Sequence, residues 1–193
     1  MNDWRWNLKT KLYRCVRISF PFNIILKREN KRLESILCDI EINNKKVVDL
    51  GTGTGNVLKY FSNSNLVLGI DLTFSMLQVT RQLYPGIKLI QADALKLPVK
   101  TDSVELITAI GLSEYLSDIE SLFMEAHRLL KADGFLLLTF SPGGIWTSLR
   151  LLLGHPIYPR TLNELISIAS SERFRLIKDT HSVMQVQVLF QKI

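Results

Sequence analysis

A nine-residue run, Val47 to Gly55, combines the residue types and spacing that most clearly indicate ligand chemistry. It places Asp49 and then Gly51, Gly53 and Gly55 directly after hydrophobic residues that are typical of a strand. Glycines at alternate positions let the backbone turn sharply and let a ligand approach the main chain closely. The run therefore predicts an acidic, glycine-rich binding loop at the end of a strand.

Two further carboxylates stand at the ends of predicted strands. Asp71 ends the run Leu66 to Asp71, about twenty residues after the first glycine, where a carboxylate can accept both hydroxyls of a ribose. Asp93 follows the run Ile87 to Gln91. Taken alone, Asp71 is explained at least as well by a helix cap. Open α/β sheets bind ligands beyond the carboxyl ends of their strands, so all these acids are expected at one edge.

The glycine spacing separates two families of nucleotide-binding loop. The dinucleotide pattern G-x-G-x-x-G would need a glycine where the chain has Asn56, so a nicotinamide or flavin enzyme loses support. The spacing D-x-G-x-G-x-G instead resembles motif I of the class I S-adenosylmethionine-dependent methyltransferases. Segments resembling the four later motifs follow in order at Gly69–Leu77, Gln91–Pro98, Asp102–Leu112 and Leu129–Leu136. The resemblance covers residues 45 to 141.

This resemblance implies S-adenosylmethionine as the cofactor and suggests a role for each matching residue. The loop residues that would hold its methionine and ribose portions are Asp49, Gly51, Thr52, Gly53 and Gly55. The remaining contacts would be Asp71 on ribose, Leu72 and Met76 around adenine, Asp93 and the amide of Ala94 on the adenine edge, and Ile110 beside the methyl group. Met76 alone is explained better as a core residue.

From residue 45 onward, short apolar runs alternate with helical patterns, which predicts βαβ units on a parallel sheet. The predicted strands are Lys46–Leu50, Leu66–Asp71, Ile87–Gln91, Val104–Ala109, Phe135–Phe140, Phe174–Lys178 and Val183–Ile193. The predicted helices are Ile24–Ile40, Ser75–Leu83, Ile119–Leu130 and one from Thr161 to about Ile168. Ser117 with Glu120 and Thr161 with Glu164 form capping-box patterns, and Asp133 with Gly134 would end the third helix.

The expected fold class is α/β and Rossmann-like. The resemblance implies a seven-stranded, mostly parallel sheet in the order 3-2-1-4-5-7-6, with an antiparallel seventh strand and helices on both faces. Residues 1–44 are predicted to form a helical N-terminal arm or lid, and residues 45–193 the methyltransferase domain. Within the arm, Leu33, Ile36, Leu37 and Ile40 form the inward stripe of a helix.

The 193 residues, 47% hydrophobic and 22% charged, have the composition of one soluble globular domain. Cys15 and Cys38 are expected to be reduced, and no Cys/His spacing suits a metal. No secretion signal is evident, and the apolar stretch Phe135–Leu153 is interrupted by Pro142 and Arg150. We therefore expect a cytoplasmic protein without a membrane span.

The net charge of +6 lies entirely in the N-terminal segment. Residues 1–46 hold eleven Lys and Arg against five Asp and Glu, and residues 47–193 hold thirteen of each. A basic arm suits contact with anionic lipid, nucleic acid or an acidic substrate, and peripheral membrane contact is one expectation. A solvated helix face explains the same charges equally well.

The methyl acceptor is narrowed by two sequence patterns. The N/D-P-P-Y/F motif of amino-methylating nucleic-acid enzymes is replaced by Ile110–Tyr115, and neither cysteine is placed for cytosine C5 chemistry. A small-molecule or lipid-like acceptor is therefore favoured, with an RNA methyltransferase and a cofactor-binding, non-catalytic interaction module as alternatives. Methyl transfer is an in-line displacement, so positioning alone can suffice and no fixed base is required.

Two segments could close the acceptor pocket. One is the N-terminal arm with its aromatic residues Trp4, Trp6, Tyr13 and Phe22; the other is the insert Pro142 to Arg160. Tyr115 and His155 are the candidates for acceptor contact, although ordinary packing explains most residues of both segments.

Overall fold

The structure is a computed structural model that describes residues 22–144, 147–148, 157–182 and 184–193. Its helices are α1 (Phe22–Leu37), α2 (Phe74–Leu83), α3 (Ile119–Leu129) and α4 (Leu162–Ser171). Its strands are β1 (Lys46–Leu50), β2 (Leu66–Asp71), β3 (Lys88–Gln91), β4 (Val104–Ala109), β5 (Leu130–Phe140), β6 (Phe174–His181) and β7 (Val186–Lys192). Short 3-10 helices, Leu58–Phe61 and Ser113–Tyr115, follow β1 and β4.

All seven strands form one sheet in the order β3-β2-β1-β4-β5-β7-β6. The first five are parallel to one another, and β7 lies antiparallel between β5 and β6. The predicted fold class and strand order are confirmed. The chain runs outward from β1 through β2 to β3 and then returns to β4 beside β1. Such a reversal opens a crevice at the carboxyl ends of the two central strands, where open α/β sheets bind ligands.

Neighbouring residues of each central strand point into opposite halves of the core, as the period of two requires. On one face, α1 and the loop beyond it bury Leu33, Ile36, Leu37 and Ile40 against Val47, Leu106 and Leu189. On the other face, α3 and α4 bury Phe123, Ala126 and Leu165 against Val48, Ile107 and Val188. Helices therefore cover both faces, and the predicted inward stripe of the N-terminal helix is confirmed.

Strand β7 is buried along Val186–Phe190 although its sequence alternates apolar residues with glutamines. Gln187 is 2% exposed, and its Nε2 donates to the carbonyl of Glu29 on α1 at 2.9 Å. The helix thus satisfies a polar residue inside the sheet. Strand β7 is therefore covered on both faces although its sequence alternates. Val183, where the strand was predicted to begin, lies outside the described residues.

The predicted ends of α3 are wrong in two respects. Asp118, not Ser117, caps the helix, because its Oδ1 accepts from the amide of Ser121 at 2.9 Å. The helix ends at Leu129, before Asp133 and Gly134, and β5 begins at once. Lys192 caps this end of the helix, since its Nζ donates to the carbonyls of His127 and Leu130 at 2.8 and 2.6 Å. At α4, by contrast, the predicted Thr161–Glu164 capping box is confirmed.

No helix within the described ranges is long and apolar enough to cross a membrane.

Candidate functional site

The glycine loop after β1 turns sharply, as predicted. Gly51, Gly53 and Gly55 have φ angles of +65°, +54° and +79°, in the left-handed region that side chains rarely adopt. The amide of Thr52 donates to the carbonyl of Ile70 at 2.9 Å, which attaches the loop to β2. The loop is therefore a fixed structure at the crevice between β1 and β4.

Of the three glycines, Gly53 is the one that leaves open space. A Cβ at Gly51 would lie 3.0 Å from the Leu112 side chain, and one at Gly55 would lie 2.8 Å from the Tyr84 ring. A Cβ at Gly53 would meet nothing closer than a backbone oxygen at 3.8 Å. The first and third glycines thus allow packing of the protein itself, and the second exposes backbone that a ligand can approach.

Asp49 is a buried carboxylate directly beneath the loop. Its Oδ1 accepts from the Thr108 hydroxyl at 2.6 Å, across the pairing of β1 with β4. Burial raises the pKa of Asp49 from the usual 3.8 to about 6, against the opposing effect of the Thr108 and Thr52 hydroxyls. Asp49 Oδ2 and Thr52 Oγ1 are buried and form no hydrogen bond of regular geometry within the described residues. They are polar atoms that a bound ligand could satisfy.

Asp71 links the end of β2 to the glycine loop. Its Oδ2 accepts from the amide of Gly53, and its Oδ1 accepts from the amide of Thr73, both at 2.8 Å. The Thr80 hydroxyl on α2 donates to the carbonyl of Gly53 at 2.6 Å and holds the same loop from the other side. A carboxylate oxygen can accept more than one hydrogen bond, so Asp71 can support the loop and bind a ligand together.

The residues suggested for adenine lie beside the next strand ends in varied surroundings. Leu72 is half-buried, and its carbonyl accepts from Gln91 Nε2 at 2.9 Å. Met76 is buried on α2, and the Ala94 side chain packs in the core. Asp93 is exposed, and its Oδ1 accepts from the amide two residues later. These four residues thus follow β2 and β3, and Asp93 is the one among them that is exposed.

The chain beyond β4 borders the glycine loop. Ile110 is half-buried against the core, and Leu112 packs over Gly51. Tyr115 ends the 3-10 helix and is half-buried. His155 lies outside the described residues, as do Trp4, Trp6, Tyr13 and much of the Pro142–Arg160 insert, whereas Phe22 begins α1.

A buried polar cluster beside this segment was not among the residues predicted from the sequence. Glu114 is 1% exposed and its carboxylate accepts from the Ser141 hydroxyl just beyond β5. Arg160 is 5% exposed and donates to the carbonyls of Ser113 and Leu116 at 2.9 and 2.5 Å. Burial lowers the pKa of Arg160. The cluster fixes the 3-10 helix that carries Tyr115, and no spacing pattern indicates it because its members come from three distant segments.

No group of three or more His, Cys, Asp or Glu side chains within the described ranges is arranged to hold a metal ion.

Sheet order, the left-handed glycine loop and carboxylates at two adjacent strand ends together define the class I methyltransferase fold. A family model described as "Methyltransferase domain" matches residues 48–138. Over these residues the chain is a methyltransferase domain of the class I S-adenosylmethionine-dependent family.

Individual relatives match this domain over part of their length. The 2-methyl-6-phytyl-1,4-hydroquinone methyltransferase 1 of Oryza sativa subsp. japonica is 36% identical over 95 residues, which are 46% of this chain and 28% of the relative. The malonyl-[acyl-carrier protein] O-methyltransferase of a Marinomonas species is 32% identical over 122 residues, which are 58% and 45% of the two chains. The chain thus spans less than half the length of either.

Among solved structures, the magnesium protoporphyrin IX methyltransferase of Synechocystis PCC 6803, with bound SAH, superposes with a TM-score of 0.77. The match covers 94% of this chain and 93% of that one at 14% identity. At that identity the likeness concerns the fold.

Proposed function

We propose that the protein transfers a methyl group from S-adenosylmethionine to a small-molecule acceptor with a hydroquinone-type ring. The observation that supports this cofactor is the placement of two carboxylates around Gly53. Asp71 accepts from the amide of Gly53, and Asp49 lies buried beneath the same loop, where its Oδ2 has no hydrogen bond of regular geometry among the described residues. This arrangement offers acceptors for the ribose and for the amino acid end of one ligand.

The residues fit that cofactor group by group. Asp71 accepts from two backbone amides, and a carboxylate has the capacity to accept from two ribose hydroxyls as well. Asp49 Oδ2 and Thr52 Oγ1 form no hydrogen bond of regular geometry within the described residues, and an ammonium donor would suit a carboxylate there. Gly53 leaves backbone open to close approach. Each feature suits a cationic amino acid joined to a nucleoside.

Bound S-adenosylmethionine would supply a methyl group on a sulfonium, which transfers to a nucleophile by in-line displacement. The contribution of this chain is to hold the donor and to shape the space beyond β4, where Leu112 packs over the loop. Apolar walls exclude water, and correct alignment of the acceptor supplies much of the rate. The buried cluster of Glu114, Ser141 and Arg160 would hold the segment beyond β4 in place.

A hydroquinone-type acceptor is supported by the relatives and by this setting. One relative is named for a hydroquinone and another for a carrier-bound malonyl group, so both kinds of acceptor need testing. Beyond β4, the apolar side chain of Leu112 faces the glycine loop, and Tyr115 is half-buried. An uncharged aromatic ring suits an apolar neighbour better than an anionic carboxylate would.

Calorimetric titration with S-adenosylhomocysteine tests the cofactor. We expect binding to the wild type and binding at least about tenfold weaker to Asp71→Ala, because the variant loses charged hydrogen-bond acceptors and a support of the loop. Glu41→Ala, which removes an exposed carboxylate before β1 at the opposite sheet edge, is the matched control. No binding to the wild type would reject the cofactor assignment.

A methyl-transfer assay with labelled S-adenosylmethionine tests the acceptor. A hydroquinone, a malonyl thioester and an RNA extract are offered separately, and we expect label in the hydroquinone. Label confined to the thioester or to RNA would replace the acceptor class. Binding of S-adenosylhomocysteine without transfer to any of them would favour a non-catalytic, cofactor-binding module.

For location, we propose a cytoplasmic protein that touches anionic membrane surfaces through its basic N-terminal segment. Helix α1 contributes Lys27, Arg28 and Lys31, which are exposed, beside Ile24, which is 44% exposed. Basic residues near an apolar side chain suit an anionic lipid surface. Sedimentation with phosphatidylserine vesicles should fall when all three basic residues are changed to Gln. Equal sedimentation of both proteins would reject the proposal.

A further inference from the structure

A chain of contacts leads from the glycine loop to the turn between β6 and β7. Leu112 packs directly over Gly51, since a Cβ there would lie 3.0 Å from its side chain. Gly111 precedes Leu112 with a φ of +73°, and the atom nearest to a Cβ at Gly111 would be Gln185 Nε2, at 4.0 Å. The Gln185 carboxamide therefore lies over the residue beyond β4, two contacts from the cofactor loop.

The turn that carries Gln185 is held at this edge of the sheet. Ser182 donates from its amide and its hydroxyl to the carbonyl of Gln185, at 2.8 and 2.6 Å. The amide of Gln185 donates back to the Ser182 hydroxyl at 3.0 Å. That hydroxyl is also 3.1 Å from Oε1 of Glu29 on α1. These contacts hold the backbone of Gln185 close to α1.

Gln185 differs from the other two glutamines of this hairpin. Gln187 is buried and donates to Glu29, and Gln191 binds Arg175 and the carbonyl of Asp133. Gln185 is half-buried, and its carboxamide has no hydrogen-bond partner among the described residues. It is the glutamine of this hairpin whose side chain remains available to a ligand.

We propose that Gln185 contacts the methyl acceptor and binds an uncharged oxygen, a hydroxyl or a carbonyl, next to the atom that is methylated. A carboxamide suits this role because it both donates and accepts and carries no charge. It can therefore orient a neutral ring without the cost of desolvating an ion. The inference rests on the proposed function and narrows its acceptor class.

The variant Gln185→Met tests this contact, because methionine keeps the length of the side chain and removes the carboxamide's donor and acceptor. The matched control is Gln191→Met, at the far end of β7. With S-adenosylhomocysteine present, 1,4-naphthohydroquinone is titrated into ¹⁵N-labelled protein under argon. The side-chain amide signal that Gln185→Met lacks should shift in the wild type. Binding of the probe should weaken about tenfold in Gln185→Met and stay unchanged in Gln191→Met.

Each result separates the inference from the function on which it rests. If S-adenosylhomocysteine binds and the probe binds without moving the Gln185 signal, or equally well to Gln185→Met, the contact is rejected and the cofactor assignment stands. If the probe fails to bind the wild type, the neutral-oxygen acceptor is rejected for this site. If S-adenosylhomocysteine fails to bind, the proposed function falls first.

Discussion

Replacement of Asp49 by asparagine should stabilise the protein at neutral pH and weaken its cofactor binding. Burial raises the pKa of Asp49 from 3.8 to about 6 in the folded state. The folded state therefore binds the proton more tightly than the unfolded state does. The stability that this provides is complete below pH 4 and is lost as the pH rises through about 6, which amounts to about 3 kcal/mol.

The asparagine side chain of Asp49→Asn would keep an oxygen for the Thr108 hydroxyl and cannot ionise, so it avoids the cost of the buried charge. The gain of Asp49→Asn over the wild type should grow from about 1 kcal/mol at pH 4.5 to about 3 kcal/mol at pH 7.5. Any fixed packing difference cancels between the two conditions. Urea unfolding followed by circular dichroism at both pH values measures the difference in free energy of unfolding between the two proteins. A difference that does not change with pH would refute the raised pKa of Asp49.

The same carboxylate predicts a pH effect on binding. If the ionised form of Asp49 holds the ligand's ammonium, acidification to pH 5.5 should weaken S-adenosylhomocysteine binding about fourfold relative to pH 7.5. Calorimetry at both values should show that shift in the wild type and not in Asp49→Asn. Parallel behaviour of the two proteins would place the ammonium elsewhere.

Other predictions concern the loop and the core. Asp71→Ala should lower the free energy of unfolding in urea by about 1–3 kcal/mol, because the amide of Gly53 loses its acceptor. This loss would accompany the weaker cofactor binding. Gly55→Ala should cost about 1–3 kcal/mol by thermal melting, since the methyl group meets the Tyr84 ring at a positive φ; Gly86→Ala, where nothing lies within 4 Å, is the control. Phe123→Ala, which removes a fully buried ring that contacts two others, should cost about 3–5 kcal/mol in urea. Equal stability of the two glycine variants, or a loss below about 1 kcal/mol for the phenylalanine, would contradict these packing arguments.

The strands could be predicted closely because each central strand is buried on both faces and so forms a nearly continuous apolar run. The bounds of β1, β2 and β4 match the structure. The ends of α3 could not be predicted, because Ser117 and Asp118 are both good caps and the geometry of the folded chain favours the second. Its other end depends on Lys192, which is distant in sequence.

The site divides in the same way. Asp49, Asp71 and the glycines belong to short patterns whose spacing reflects one loop and one strand, so the sequence points to them. Glu114 and Arg160 reach their partners Ser141 and Ser113 only after β4, β5 and the chain before α4 have come together. Such contacts between distant segments leave no local periodicity to detect.

The insertion of β7 between β5 and β6 governs when this chain can fold. Leu33 and Glu29, on α1, find Leu189 and Gln187 only in the last strand. On the ribosome, α1 would emerge well before β7 and would lack these partners until β7 has been synthesised. Contacts this distant in sequence slow folding and leave apolar surface exposed meanwhile. A nascent chain that still lacks β7 would therefore expose the inner face of α1 and be a target for chaperones and proteases.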